Sequence, residues 1–183
     1  ETAILQARHL VSNEKYKGSL YINTVESDLN VSTSAESMGL CPLLTAVGDK
    51  WILLKIHLAL LEKKLLTAKI GKKKQMQIKN KIKPLKKTGV TSVSTLLELD
   101  ASITDLPDTA KNQPETLAVG SEETGHNITT GYLTLPNKEK IGGYSGNGLK
   151  SALNTFAATE QLATTLSSEK YIQSIRRPFS PGF

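Results

Sequence analysis

The chain has 183 residues, of which 38% are hydrophobic, and a formal net charge of +6, so it is long enough for one domain with a buried core. It contains one cysteine, which excludes an intramolecular disulfide and is compatible with a reducing compartment. The longest apolar run, from Trp51 to Leu61, is interrupted by Lys55 and His57 and is too short and too polar to span a bilayer. No basic-then-apolar signal peptide is visible, and together these features predict a cytoplasmic protein without a membrane segment.

The positive charge is concentrated in one segment. Between Glu62 and Lys87 there are eleven lysines and one acid, a local charge of +10. The rest of the chain has 12 basic and 16 acidic residues and is therefore weakly acidic. The net charge of the whole chain therefore describes neither the lysine-rich segment nor the remaining residues.

The first fifty residues predict alternating helices and strands. Gly39 is suited to ending a helix, because glycine tolerates the left-handed conformation found at helix C-termini. Asp49 is suited to the N-cap of a long, apolar-rich helix that begins at Lys50. Cys41 lies in an apolar run, where we expect a buried structural thiol. The predicted elements are a helix over 2–12, a strand over 18–25, a helix over 31–38, a short buried strand over 40–45 and the long helix from residue 50.

A lysine-rich stretch follows the long helix. The lysine tract is closed by Pro84 and Gly89, and we expect it to be a solvated helix or loop. Apolar residues over 88–99 favour a strand. The segment over 104–115 contains prolines and aspartates and predicts a loop.

The last part of the chain predicts a strand, a loop, a second strand and a helix. The strands span 116–121 and 127–135, and a turn over 136–140 follows them. The order of all these elements predicts an α/β fold with a three-layer α/β/α domain. The final helix, over 148–166, has a periodic apolar face, which consists of Leu149, Leu153, Phe156, Ala157 and Leu162.

The loop between the last two strands, Gly120 to His126, combines a carboxylate, a hydroxyl and an imidazole. Glu122 can accept hydrogen bonds from two neighbouring sugar hydroxyls, and Thr124 can both donate and accept. Gly120 and Gly125 let the backbone approach a ligand closely. The loop therefore suits a sugar, although the simpler interpretation is an ordinary hairpin turn with polar side chains.

Several ordered stretches resemble the α-D-phosphohexomutases, the family of phosphoglucomutase, phosphomannomutase and phosphoglucosamine mutase. The sugar loop of that family reads roughly Gly-Glu-x-Ser-Gly-His, and Glu122–His126 matches it with Thr124 in place of serine. The family's fold has a mixed, mostly parallel sheet, with one antiparallel strand supplied by the hairpin after the loop. The other matching stretches, which resemble a strand, a helix end and two helix starts of the family, are Tyr21–Val25, Met38–Leu40, Thr45–Trp51 and Ser145–Leu153.

The resemblance implies that the chain is the third of four domains of such an enzyme. Thr2–Leu10 resembles the helix that follows the family's metal loop, and Arg177–Phe183 resembles the linker into the last domain. Neither the phosphoserine motif nor the Asp-Gly-Asp-Gly-Asp-Arg metal loop occurs here. We therefore expect a single module over 1–183 that is inactive alone. Its full-length protein would be a phosphoglucomutase- or phosphomannomutase-type isomerase, with Mg²⁺ ligands outside this chain and the other domains of the polypeptide as partners.

The family moves a phosphoryl group between the 1- and 6-hydroxyls of a hexose phosphate, and its sugar binds in two opposite orientations. Its Glu and Ser recognise the 3- and 4-hydroxyls, roles that the resemblance assigns to Glu122 and Thr124. His126 would orient the phosphate or assist proton transfer, with a purely structural loop histidine as the alternative. Lys50 would meet the phosphate at a helix start, with an exposed surface lysine as the alternative. Gly120 and Gly125 complete the implied substrate-binding set, and no metal ligand is expected within the chain.

Two features leave other interpretations open. In most relatives a short connection replaces the lysine-rich insertion at about 66–117, and a loop of that length is functional, disordered or partly folded. Its lysines could bind nucleic acid or an acidic partner, so the alternative function is a non-catalytic binding module. The lysine tract has no arginine and no interleaved aromatic residue to stack on bases, which disfavours nucleic acid. The loop need not touch carbon 2 of the sugar, so glucose, mannose and glucosamine phosphates all stay open as substrates.

Overall fold

The computed structural model describes residues 2–28, 30–67, 70–88, 92–104 and 116–170. The helices are α1 (Thr2–Val11), α2 (Asn30–Ser37), α3 (Asp49–Thr67), α4 (Lys72–Thr88), α5 (Val93–Thr104) and α6 (Gly148–Thr165). The strands are β1 (Leu20–Thr24), β2 (Cys41–Thr45), β3 (Leu117–Ser121), β4 (Asn127–Thr134) and β5 (Lys140–Gly146). None of the helices in the described ranges is long and apolar enough to cross a membrane. The loop predicted up to residue 115 and the linker-like segment over 177–183 lie outside the described residues.

The five strands form one mixed sheet in the order β2-β1-β3-β4-β5. β1 pairs in parallel with both β2 and β3, whereas β4 is antiparallel to β3 and β5 is antiparallel to β4. The α/β fold with a mixed sheet is therefore confirmed. Sequence reasoning missed β5, because Gly142 and Gly143 have low strand propensity. Its backbone nevertheless pairs with β4 from Lys140 to Gly146.

Helices cover both faces of the sheet. Tyr21 and Ile22 are adjacent in β1 and both are fully buried, but they belong to different cores, because successive side chains of a strand point to opposite faces. Tyr21 packs in a core with residues of α1 and α2. Ile22 packs in a core with Ile52 and Ile56 of α3. α6 packs against α1, which completes the three layers.

The lysine-rich segment folds into two helices next to α3. Ile78, Ile82 and Leu85 of α4 are buried in a core that they share with leucines of α3. The prediction of a strand after the lysine tract is wrong, because that stretch belongs largely to the helix α5. Leu99 of α5 is 1% exposed in the same core. Burial of a helical face against α3 outweighs the strand propensity of the β-branched residues in this segment.

Pro84, which was expected to close the lysine tract together with Gly89, does not interrupt its helix. It lies inside α4, which continues to Thr88. A proline removes one backbone hydrogen bond from a helix interior. Ile82 and Leu85, on either side of it, are both buried, and their packing stabilises the helix across this position.

Cys41 is exposed, so the prediction of a buried structural thiol is wrong. The strand β2 forms as predicted, but it lies at the edge of the sheet, and only Thr45 among its five residues is buried. An apolar run does not show whether a strand is central or at an edge. The pairing of the strands decides this.

The apolar face of α6 is largely exposed. Leu149, Leu153 and Phe156 are between 60% and 74% exposed, although they recur at helical spacing. The buried residues of α6 are Ala158 and Leu162. Within the described residues, the helix therefore uses only part of its apolar face for packing.

Candidate functional site

The residues between β3 and β4 form a tight hairpin turn. Glu122 donates its backbone N–H to the carbonyl oxygen of His126 at 3.0 Å, and Gly125 donates its N–H to the carbonyl oxygen of Glu122 at 3.1 Å. Gly125 has a φ of +91°, a left-handed conformation that favours glycine. The backbone is therefore that of an ordinary hairpin turn, as the simpler interpretation predicted. The turn alone accounts for a glycine at position 125. Whether the turn is also a site depends on its side chains.

The turn lies where the three parallel strands end. β1, β2 and β3 run in the same direction, so their carboxyl ends meet at one edge of the sheet. The turn follows β3, and α3 begins shortly after β2. Open α/β sheets bind their ligands at this edge. The fold therefore brings the turn and the start of α3 together at a position suited to a ligand.

Glu122 is a buried carboxylate with an oxygen that makes no hydrogen bond. The residue is 8% exposed, whereas the next residue, Glu123, is exposed. The Oε2 atom of Glu122 accepts a hydrogen bond from the Thr124 hydroxyl at 3.2 Å. Its Oε1 atom is buried and has no hydrogen-bond partner among the described residues. Such an atom lowers stability until a ligand donates to it.

Asp49 and His126 complete a polar cluster with Glu122. The His126 Nδ1 atom lies 3.7 Å from Asp49 Oδ2 and 3.8 Å from Glu122 Oε2. The imidazole is 68% exposed, and Asp49 Oδ1 is a second buried oxygen that lacks a partner in the described part of the chain. Two carboxylates around one point favour a positive charge there. Sequence reasoning treated Asp49 only as a helix cap; it lies in the first turn of α3.

Two further residues of the implied substrate-binding set, Lys50 and Gly120, lie against side chains of α3. Lys50 is exposed at the start of α3, and its Nζ atom lies 5.0 Å from the centre of the Trp51 ring, a cation–π distance. A Cβ atom on Gly120 would lie 2.5 Å from Cγ2 of Ile52. Close packing of β3 on α3 therefore explains the glycine at position 120. Lys50 lies next to Asp49, at the edge of the sheet where the parallel strands end.

A cleft of about 280 Å³ opens beside the cluster. It includes the N-terminus of α6, where Asn147 Oδ1 accepts the backbone N–H of Lys150 at 3.0 Å. Asn127 Oδ1 and Ser151 Oγ are buried and have no hydrogen-bond partner among the described residues. Sequence reasoning did not select these two side chains, because nothing in their local pattern distinguishes them from structural residues. The cleft is lined by Asp49, Gly125, His126, Asn127, Gly146, Asn147, Gly148 and Ser151.

A larger groove of about 710 Å³ lies elsewhere, between α3 and α4. Leu65, Leu66 and Ile82 contribute apolar surface to it, and lysines of α4 stand along it. One of these lysines, Lys86, pairs with Glu62 at 2.5 Å. No residue of the polar cluster lines this groove, so the two concave surfaces are separate.

In comparisons with known proteins, no family model, no curated protein and no solved structure matches the chain. The resemblance to phosphohexomutases therefore rests on the sequence motifs alone and stays a prediction. The chemistry of the polar cluster, at the carboxyl ends of the parallel strands, is the basis for a functional proposal.

Proposed function

We propose that this chain is the sugar-phosphate-binding domain of a phosphohexomutase-type isomerase, in which Glu122 and Thr124 recognise the sugar. The observation that supports this best is a buried carboxylate that accepts a hydrogen bond from a hydroxyl, at the edge of the sheet where the parallel strands end. Vicinal sugar hydroxyls are donors that stand side by side, and the two oxygens of a carboxylate can accept one each. The Oε1 atom of Glu122, which has no partner among the described residues, is available for this contact.

The proposed reaction needs one recognition group that serves two orientations of the sugar. When a phosphoryl group moves between the 1- and 6-positions of a hexose, the sugar presents first one end and then the other. Its 3- and 4-hydroxyls nearly exchange places when it turns over. A carboxylate accepts from either hydroxyl, and the Thr124 hydroxyl can rotate between donating and accepting. The Glu122–Thr124 pair therefore suits both orientations.

His126 and Lys50 are the groups proposed for the phosphate. His126 lines the cleft and is mostly exposed, so a phosphate can reach its imidazole. Lys50 lies in the first turn of α3, where backbone N–H groups and the helix dipole favour an anion. Asp49, at 3.7 Å from the imidazole, positions it by electrostatic attraction whenever the imidazole is protonated.

Other domains of the same polypeptide would supply the phosphoryl transfer. This chain contains neither the phosphoserine motif nor the Asp-Gly-Asp-Gly-Asp-Arg loop for Mg²⁺, so its own residues bind and orient the sugar phosphate. The exposed apolar face of α6, formed by Leu149, Leu153 and Phe156, suits a domain that packs against another domain. A single cysteine is consistent with a cytoplasmic enzyme.

Titration of the full chain with hexose phosphates tests this proposal. We expect glucose 1-phosphate, mannose 1-phosphate or glucosamine 6-phosphate to shift the NMR resonances of Glu122–His126. Glu122→Gln should weaken binding by about tenfold or more, because a hydrogen bond to a charged acceptor contributes about 1.5–3 kcal/mol. Glu123→Gln, in the same turn but exposed, is the matched control and should bind normally. Equal binding by the two variants, or no shift in the turn with any of the three ligands, would refute the proposal.

A second candidate function belongs to the exposed side of α4. Ile78, Ile82 and Leu85 bury the apolar side of this helix, which leaves its charged side to an acidic partner or a nucleic-acid backbone. Replacement of Lys79 and Lys83 by glutamate should abolish salt-sensitive binding to a DNA duplex, and the same change at Lys138 and Lys170 should not. No binding of DNA at low salt would refute the nucleic-acid form of this candidate. The exposed lysines of α4 are Lys72, Lys73, Lys74, Lys79, Lys81, Lys83, Lys86 and Lys87.

A further inference from the structure

Asp49, Glu122 and His126 form a cluster of three groups that could hold a metal ion. One ligand atom of each side chain lies within 4.8 Å of the ligand atoms of the other two. The imidazole Nδ1 is 3.7 Å from the Asp49 oxygen and 3.8 Å from the Glu122 oxygen. Ligand atoms that surround a tetrahedral zinc ion at about 2.0–2.2 Å are roughly 3.4 Å apart. The two distances from the imidazole are close to this value, and the side chains would have to move together where the separation approaches 4.8 Å to bind one ion.

The burial of Glu122 gives an independent reason to expect a cation. Glu122 is 8% exposed, and its Oε1 atom has no hydrogen-bond partner among the described residues. The Asp49 side chain is 42% exposed, but its Oδ1 atom is buried and also has no hydrogen-bond partner among the described residues. The neighbouring ammonium group, that of Lys50, lies over the Trp51 ring. Buried charges are normally paired or bound to metal, and a divalent ion at the cluster would satisfy both carboxylates.

We propose that Asp49, Glu122 and His126 bind a divalent transition-metal ion, with Zn²⁺ as the best fit. An imidazole nitrogen suits zinc and its first-row neighbours, whereas Mg²⁺ and Ca²⁺ prefer shells made of oxygen. Three protein ligands leave the fourth position of a tetrahedral zinc ion open. Asp49 and His126 both line the 280 Å³ cleft, so the open position is accessible from the cleft to water or to a phosphate oxygen.

Metal binding at this cluster goes beyond sugar recognition and does not depend on it. Glu122 and His126 belong to both proposals, whereas Asp49 would bind the metal directly and in sugar-phosphate binding only positions the His126 imidazole. Titration with metal in the absence of sugar tests the metal site alone, and titration with hexose phosphate in the presence of a chelator tests sugar recognition without metal. Asp49→Asn should weaken metal binding in the absence of any sugar. The two proposals can thus fail separately.

Titration of the full chain with Co²⁺ tests the metal site, because Co²⁺ reports its ligands through visible absorption and is displaced by Zn²⁺. We expect one ion per chain, measured by absorption and by calorimetry. His126→Ala and Asp49→Asn should each weaken its binding by about tenfold or more. His57→Ala and Glu123→Gln are the matched controls for residue type and should bind as the original chain does. His126 is mostly exposed, so its replacement should preserve the fold, which circular dichroism verifies.

The exposed thiol of Cys41 is the rival metal ligand in this chain. Cys41→Ser should retain full affinity, and the Co²⁺ complex should lack the charge-transfer absorption of a thiolate ligand. Loss of binding in Cys41→Ser would overturn the proposal. So would unchanged affinity in both His126→Ala and Asp49→Asn, or the absence of Co²⁺ and Zn²⁺ binding by the original chain.

Discussion

The turn between β3 and β4 buries a charged side chain, whereas helix α4 exposes its charged side chains. In the turn, Glu122 is buried and one of its oxygens has no hydrogen-bond partner among the described residues. In α4 the buried side chains are apolar, and the lysines are exposed to water. An unsatisfied buried polar atom weakens folding, whereas an apolar helix face packed on α3 strengthens it. The buried oxygen of the turn thus lowers stability, a cost that the proposed ligand would offset, whereas the highly charged α4 contributes to the core.

The largest effect on stability is expected when a buried side chain of α4 is shortened. Ile82→Ala removes a side chain that is 3% exposed, and it should lower the free energy of unfolding by about 2–5 kcal/mol. Met76→Ala in the same helix is the control, since Met76 is 64% exposed and its loss should change stability by less than about 0.5 kcal/mol. Urea unfolding of both variants measures the difference. Small effects of equal size would show that α4 is a solvated appendage.

A smaller loss is expected beneath the turn, where β3 packs on α3. Gly120→Ala places a methyl group 2.5 Å from Ile52 Cγ2, and overpacking of this kind costs about 1–3 kcal/mol. Gly143→Ala in β5 is the control, because no atom lies within 4 Å of the added carbon there. Thermal or urea unfolding compares the two variants. If both are equally stable, close packing is not the reason for glycine at position 120.

The third test should change stability in the opposite direction. Glu122→Gln removes the charge from a buried carboxylate whose Oε1 atom lacks a partner, so the free energy of unfolding at neutral pH should rise by about 1 kcal/mol. Glu123→Gln, in exposed surroundings, should leave it nearly unchanged. Equilibrium unfolding without added ligand or metal makes the comparison. A clear loss of stability in Glu122→Gln would mean that the carboxylate has a structural role, which would end the contrast with α4.

The smallest effect concerns the contact between α4 and α5. Lys81 Nζ lies 2.9 Å from Glu98 Oε2, and both side chains are at least half exposed. An exposed ion pair contributes about 0.2–1 kcal/mol. A double-mutant cycle with Lys81→Ala and Glu98→Ala measures the coupling, which should shrink at high salt. A coupling well above this range would show that charge, in addition to apolar burial, holds the helical layer together.

Local sequence patterns predicted most elements around the site. α1, α2, β3, β4 and α6 match their predicted bounds to within one residue at each end. The signals that mark these bounds act over a few residues; Gly39, for example, has the expected left-handed φ of +78° after α2. The elements that were missed are those whose environment overrides their composition. Glycine-rich β5 is a strand because β4 offers a pairing edge, and α5 is a helix that packs Leu99 in the core beside α3.

The sequence by itself determined the composition of the turn, because Glu122, Thr124 and His126 are neighbours in the chain and need no long-range folding to meet. Only the tertiary structure decided that Asp49 joins them. Parallel pairing of β1 with β2 and β3 brings the carboxyl ends of these strands to one edge, whatever their separation in sequence. The tertiary structure also decided that Glu122 is buried with an unsatisfied oxygen, because burial depends on the packing of the surrounding elements and not on residue order.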